Sequence, residues 1–280
     1  MKQSFKRNDY MYRLGLIGNP IKHSKSPELH KQFLKEFNVR GAYELYELLE
    51  IELGTFTEWV KREGLLGFNV TVPYKEAIIP HLDRLDFFAK EMNAVNTVKL
   101  MNGELVGYNT DGIGYMEALR QFKPDFFDHT NKEILIIGAG GAAKGIALAL
   151  NGLENTTINI ANRTEERALE LAKKLKKSHV YSLEEAERYL ETFDLIIQTT
   201  TVGMQPNIDE QVIRLNRVKP TAIVSDIVYQ PKWTKFLKQA NAQGVYVLFG
   251  IDMLIYQAAK SFEIWTGHRP NEKLLESLKE

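Results

Sequence analysis

Ile134-Leu135-Ile136-Ile137 runs without a break into Gly138-Ala139-Gly140-Gly141-Ala142-Ala143. Apolar residues opening onto G-x-G-x-x-A give the alanine-ended form of a dinucleotide fingerprint. Gly138 permits the tight strand-to-helix turn, Gly140 lets the backbone approach a pyrophosphate, and Ala143 allows close packing of helix on strand. The helix read over Ala142–Asn151 turns its unpaired N–H groups and partial positive charge towards phosphates. Glycine spacing alone is a weak signal, which a plain tight turn also produces. A strand before it, a helix after it and a second strand, Thr157–Ala161, supply the context that nucleotide binding requires.

The end of that second strand selects the nucleotide. An NAD site places Asp or Glu there, about 20 residues after the glycines, to bond the ribose 2′-hydroxyl. Here the positions read Asn162-Arg163-Thr164, with Arg167 one turn further. A guanidinium binds phosphate in a bidentate manner, and a threonine hydroxyl can cap the helix or donate to phosphate. Glu165 and Glu166 fall in a first helical turn, where the helix dipole favours acids. As ordinary solvated helix residues, Arg163 and Arg167 would mean nothing; at this strand end they predict NADP.

Outward from the fingerprint, strands and helices alternate: Glu165–Lys176 as helix, His179–Ser182 as strand and Leu183–Glu191 as helix. Leu195–Thr199, Ala222–Asp226 and Val245–Leu248 follow as strands. That rhythm predicts a parallel sheet with right-handed crossovers. A polar connection, Phe122–Lys132, precedes it. Before the connection, Met11–Gly18, Ala42–Leu48 and Leu65–Val72 read as strands, and Gly54–Arg62 and Leu82–Met92 as helices. Another helix runs from Ser26 as N-cap and Pro27 at N1 to about Phe37. Val95–Met101 and Glu104–Tyr108 flank Asn102-Gly103, a hairpin signal. Residues 1–10 read as a loose extension, and a last helix over Met253–Thr266 returns to the first domain.

The expected class is therefore α/β: an N-terminal α/β domain, residues 1–120 with 251–280, and a Rossmann-type doubly wound domain, 121–250. The 280 residues are 44% hydrophobic and 26% charged, with 36 basic and 36 acidic side chains. Such a balanced chain has no overall electrostatic reason to seek nucleic acid or an anionic membrane. The sequence holds no cysteine, which excludes disulfides, thiolate metal sites and a cysteine nucleophile and fits a reducing compartment. No stretch approaches the ~18 apolar residues of a membrane span, and no secretory signal is read. A cytoplasmic location is expected. His23, His30, His81, His129, His179 and His268 show no ligand spacing, so no metal is expected.

Polar residues cluster at strand ends of the first domain, where open α/β sheets bind ligands. His23-Ser24-Lys25-Ser26 can turn hydroxyls towards an anion or simply cap a helix. In Asn69-Val70-Thr71-Val72-Pro73-Tyr74-Lys75, alternation puts Asn69 and Thr71 on one strand face, where a polyol would satisfy them. Lys75 alone would be a surface charge. Asn93–Thr97 and Tyr108–Gly112 add Asn96 and Asp111, the latter also a plausible N-cap.

These segments resemble the shikimate dehydrogenase family over nearly the whole chain after residue 11. The resemblance rests on Gly18-Asn19-Pro20 with HSKSPELH, then FNVTVPYK, AVNT, YNTDG, GAGGAAKG, NRT, TTTVGM, SDIVYQP and GIDMLIYQAA, in that order. It implies NADPH-dependent reduction of 3-dehydroshikimate to shikimate in the chorismate and aromatic amino-acid pathway, by a monomer or homodimer. It makes Lys75 and Asp111 the catalytic pair and gives the substrate carboxylate to Ser24 and Ser26, with Tyr229 nearby. Asn69, Thr71, Asn96 and Gln257 would hold ring hydroxyls. Gly138, Gly140, Gly141 and Ala142 would take the pyrophosphate, and Asn162, Arg163, Thr164 and Arg167 the adenosine phosphate. Thr201, Gly203, Met204, Gly250 and Met253 would border the nicotinamide. Gln198 departs from the Asn that members often carry there. A quinate/shikimate dehydrogenase using NAD, and a non-catalytic NADP or shikimate sensor, are the competing readings. Arg163 speaks against the first, and the presence of both Lys75 and Asp111 against the second.

Overall fold

In this computed structural model, which describes residues 12–128 and 131–279, the first strand, β1 (Tyr12–Gly18), is buried from Leu14 onward. It is followed by α1 (Ser26–Glu36), β2 (Gly41–Glu47), α2 (Leu53–Glu63), β3 (Gly67–Val70), β4 (Arg84–Leu85), α3 (Phe87–Met92), β5 (Thr97–Met101) and β6 (Glu104–Tyr108). These strands form one sheet in the order β2-β1-β3-β5-β6-β4. β1 runs parallel to β2 and β3, whereas β5 is antiparallel to β3 and β6. The β5–β6 hairpin turns at Asn102 and Gly103, with φ of 54° and 83°, the positive pair that a two-residue turn of this twist needs.

Helix α2 buries Leu53, Phe56, Thr57 and Val60, a stripe at helical spacing, and its three apolar members share one cluster with Phe68, Val70, Val98 and Leu105. It ends at Gly64 in the left-handed region. Helix α1 buries Leu29, His30, Phe33 and Leu34. Phe33 lies 5.6 Å, centroid to centroid, from Phe262, and the Trp265 indole N–H donates to the Val98 carbonyl at 2.8 Å. Each such fully buried aromatic contributes about 1.5–3 kcal/mol by leaving water.

The second sheet begins after α4 (Asp111–Phe122), with β7 (Glu133–Ile137), α5 (Gly141–Leu150), β8 (Thr157–Ala161), α6 (Glu165–Ala172), β9 (Ser178–Tyr181) and α7 (Leu183–Arg188). Next come β10 (Leu195–Gln198), β11 (Ile223–Asp226), α8 (Lys235–Ala242), β12 (Tyr246–Leu248), α9 (Gly250–Thr266) and α10 (Glu272–Ser277). Every pairing is parallel, in the order β12-β11-β10-β7-β8-β9. This is the doubly wound arrangement whose switch point lies between β10 and β7. Both faces are apolar: Ile134 and Ile136 join Ile158, Ile160 and Ile197 on one side, and Leu135 and Ile137 join Ile196 and Val224 on the other. Burial on both faces is why these strands read as continuous apolar runs.

By compactness the chain divides into two units. One holds the described residues up to Thr110 with Ala258–Leu278; the other holds Asp111–Gln257 with Lys279. Helix α4 belongs to the second because Gly112 lies so close to the Gly145 carbonyl that a Cβ there would overlap it.

Several local expectations change. Lys25, not Ser26, is the N-cap of α1, so Pro27 stands second in the helix rather than first, and neither the Lys25 nor the Ser26 side chain caps it. The strand expected over Leu65–Val72 is confined to Gly67–Val70, so Thr71 leaves the pleat and Val72 is exposed. Leu82–Met92 is not one helix: Arg84–Leu85 pair with β6, and Asp86 accepts the Ala89 N–H at 2.8 Å to start α3 there. Helix α8 and helix α10 were not foreseen. Met11, His129 and the N-terminal extension lie outside the described residues.

Candidate functional site

The turn between β7 and α5 is set by Gly138. Its φ of 117° is a conformation that side chains rarely adopt, and its N–H donates to the Ala161 carbonyl at 2.8 Å. A Cβ at Gly138 would come within 2.5 Å of the Thr199 hydroxyl, which itself donates to the Ile137 carbonyl at 2.7 Å. Gly140 is the N-cap of α5 and has no side-chain cap; a Cβ there would meet no atom within 4 Å. The first N–H groups of α5, at Gly141 and Ala142, therefore have no capping side chain.

A cavity of about 960 Å³ opens beside this turn, with Gly138, Asn162, Arg163, Thr200 and Thr201 in its wall. The Asn162 amide donates to the Thr164 carbonyl at 2.7 Å. Thr164 sits at the N-cap of α6 without using its hydroxyl to cap, and Thr164, Arg163 and Arg167 are exposed. Residues not foreseen from sequence also line the cavity, Glu187, Arg214 and Lys235 among them. The Glu187 carboxylate accepts the Arg214 N–H at 3.1 Å. They come from segments without a ligand motif, so only the fold could assemble them. Gly203, Met204, Gly250 and Met253 are not in that wall. Met204 is exposed and its N–H donates to Thr201, while Gly250 starts α9 against the Ile227 carbonyl.

On the first unit, the Ser24 hydroxyl accepts the Ser26 N–H at 3.2 Å, and Ser26 is buried. Asn69, near the end of β3, accepts the Tyr43 hydroxyl at 2.7 Å. Its amide N–H groups face the Asn96 carbonyl at 3.0 Å and the Thr97 and Ser261 hydroxyls at 3.1 Å. The Asn96 side chain in turn accepts the Thr110 N–H at 2.8 Å and donates to the Thr110 hydroxyl at 2.9 Å. His30 is stacked on Tyr43 at 4.4 Å, and complete burial lowers its pKa to about 3, so the ring is neutral. Thr71 donates its N–H to Ile17, and its carbonyl accepts from Tyr74. Lys75 is half-buried; its carbonyl accepts the Val95 N–H at 2.7 Å, beside Asn96, while the Tyr74 hydroxyl donates to Leu48 at 2.6 Å.

Asp111, Tyr229 and Gln257 belong to the second unit. Asp111 is the buried first residue of α4, and the Gln257 amide donates to the Leu254 carbonyl at 2.9 Å. The end of β11 carries a further acid that the sequence reading did not single out. Asp226 is fully buried, and burial raises its carboxyl to about 7 against the lowering effect of its hydrogen bonds. A buried acid closing an apolar parallel strand was the available signal. Among the described residues no group of three or more His, Cys, Asp or Glu side chains is placed to hold a metal ion. No helix among them is long and apolar enough to cross a membrane.

Known proteins resemble this chain along its length. Residues 16–98 match the shikimate dehydrogenase substrate binding domain, 118–229 the shikimate/quinate 5-dehydrogenase model and 250–277 the shikimate 5′-dehydrogenase C-terminal domain. The shikimate dehydrogenase (NADP(+)) of Oceanobacillus iheyensis is 48% identical over 261 residues, covering 92% of this chain and 93% of that protein. Its counterpart in Geobacillus kaustophilus is 43% identical over 266 residues, covering 94% and 96%. The crystal structure of shikimate 5-dehydrogenase from Thermus thermophilus, in complex with NADP(H) and shikimate, superposes with a TM-score of 0.84 at 34% identity, covering 96% and 98%. The chain thus belongs to the shikimate dehydrogenase family.

Proposed function

We propose that Lys75 and Asp111 handle the proton in the reaction of this family, the NADP-dependent interconversion of 3-dehydroshikimate and shikimate. The chain is an NADP-dependent oxidoreductase of that class. The observation that carries the cofactor half is the cavity beside Gly138, whose wall includes Asn162 and Arg163 at the β8 end where an NAD site would present a carboxylate. The uncapped α5 start and the open space beyond Gly140 suit a pyrophosphate. When bound, NADPH supplies hydride.

Reduction of a ketone builds negative charge on its oxygen. The Lys75 ammonium stabilises that charge and delivers the proton that completes the alcohol. Asp111 binds and orients a neighbouring hydroxyl of the substrate. Ser24 and Ser26 take the carboxylate with Tyr229 nearby, and Asn69, Thr71, Asn96 and Gln257 the ring hydroxyls. Thr201, Gly203, Met204, Gly250 and Met253 border the nicotinamide; Gly138, Gly140, Gly141 and Ala142 hold the pyrophosphate, and Asn162, Arg163, Thr164 and Arg167 the adenosine phosphate. Residues 1–120 with 251–280 form the substrate side, and 121–250 the nucleotide side. The same reading includes a cytoplasmic monomer or homodimer without nucleic-acid or membrane partners, supported by the balanced charge and the lack of cysteine.

The test is the change in absorbance of the reduced cofactor with 3-dehydroshikimate. NADPH is expected to give the higher kcat/KM over NADH, and Lys75→Ala to lower kcat by about 10²–10⁴-fold, the usual loss for a general acid. A Lys75→Ala enzyme within a few-fold of the parent would refute the role.

A further inference from the structure

The reaction as described uses neither Asp226 nor Gln198, yet the two are joined at the ligand-bearing edge of the second sheet. They are register partners, closing β11 and β10 respectively. The Gln198 amide donates to Asp226 Oδ1 at 3.1 Å and to the Val202 carbonyl at 3.1 Å, and its own carbonyl oxygen accepts the Thr200 N–H. Asp226 Oδ1 also accepts the Val228 N–H at 2.9 Å, while Oδ2 accepts the Thr234 hydroxyl at 2.7 Å. Thr234 is the N-cap of α8, where its hydroxyl oxygen accepts the Leu237 N–H at 3.2 Å.

Gln198, Val228 and Thr234 are neutral donors to Asp226, so burying its carboxyl is costly for stability. What the arrangement achieves is a tie: one side chain holds both the turn after β10, through Gln198, and the segment after β11, through Val228 and Thr234. Thr200, Thr201 and Val202 of that turn line the cavity. The Gln198 side chain thus reaches Asp226 while still holding Thr200 and Val202.

We propose that Asp226 is a positioning residue for hydride transfer: through Gln198 it fixes the turn Thr199–Met204, which borders the nicotinamide. The proposal rests on the assignment of Thr201, Gly203 and Met204 to the nicotinamide made above. Hydride transfer needs reacting atoms at near-contact distance, where a misplacement of about 1 Å can cost about 10²-fold in rate. Asp226 touches neither substrate nor cofactor in this scheme; its effect passes through the turn.

The test uses the full-length chain, its Asp226→Ala and Asp226→Asn variants, and NADPH deuterated at the transferred position. Asp226→Ala is expected to lower kcat by at least about 10-fold and to enlarge the primary isotope effect, with NADPH affinity within about threefold. Asp226→Asn is expected to restore kcat to within about threefold, because a carboxamide still accepts from Val228 and Gln198 and can donate to Thr234. A merely destabilised enzyme would lose active molecules but keep the parental isotope effect. If Asp226→Ala does not fold, Gln198→Met cuts the same tie and should move kcat and isotope effect in the same direction. Parental kcat and isotope effect in the cut variant, or an Asn variant as impaired as the Ala variant, overturns the proposal. Amide exchange at Thr200, Val202 and Val228 is read in parallel, whatever substrate the parent turns over. Faster exchange in the cut variant is expected, and unchanged exchange overturns the tie itself. Absence of parental turnover with 3-dehydroshikimate would strike the functional reading alone.

Discussion

The two units treat their polar residues in opposite ways. In the first, Asn69, Asn96, Thr97, Thr110 and Ser261 are buried and bonded to one another. In the second, the residues at the end of β8, Arg163, Thr164 and Arg167, stand exposed. A small polyol needs a stiff outline, because its hydroxyls are told apart by groups that would otherwise stay buried and unpaired. A nucleotide brings its own charge and area, so solvated cations at a strand end suffice. Substitution should therefore damage stability and turnover together in the first unit, and cofactor use alone in the second.

The largest expected effect is an exception inside the second unit. The Asp226 carboxyl has an ordinary value of 3.8 and stands at about 7 when folded. Between those values the folded chain keeps a proton that the unfolded chain has released, so stability falls as pH rises through that window and levels off above it. The loss is at most about 4 kcal/mol, at 1.4 kcal/mol per pH unit. Urea unfolding from pH 4 to 8 should show Asp226→Asn gaining on the parent with rising pH, and parallel curves would contradict it.

Asn69→Ala comes next. It strips the Tyr43, Thr97 and Ser261 hydroxyls of a shared partner and should cost about 2–4 kcal/mol in denaturant unfolding, with turnover falling too. Stability equal to the parent would erase the contrast between the units. Arg163→Ala should weaken NADPH binding by about 10–100-fold, the loss of a charge-assisted contact, while leaving the melting temperature in place. NADH kinetics should barely change. Smallest, Tyr43→Phe removes the donor to Asn69 and should lower stability by about 1 kcal/mol, read as a shifted urea midpoint at constant slope.

How much of this the sequence discloses follows the same division. The second sheet is legible because strands buried on both faces are written as unbroken apolar runs, and because a glycine turn of fixed spacing marks its first crossover. The cationic strand end is legible for a related reason: it lies a fixed number of residues beyond that turn. Local chemistry overrode pattern elsewhere. Asp86 starts α3 late, Val72 falls outside the pleat, and the Thr234 cap of α8 was missed although Phe236, Leu237 and Ala240 behind it share one helical face. The polar network of the first unit is illegible for a stronger reason. Asn69 meets Ser261 across 192 positions, and no spacing rule reaches that far. Gln198 was visible as a departure, but its meaning depends on Asp226, which only the strand register brings alongside.

The bond from Trp265 to the Val98 carbonyl spans 167 positions, and it sets an order of events at the ribosome. Domains form as units during synthesis, the N-terminal one usually first. Here the earlier half emerges with one flank of its sheet bare, since Phe262 and Trp265 have not yet been translated. The later half has all its residues but Lys279 in hand once Gln257 has left the exit tunnel. The portion made first is thus the portion finished last, and a nascent chain stalled midway carries an apolar flank that its own missing tail was meant to cover.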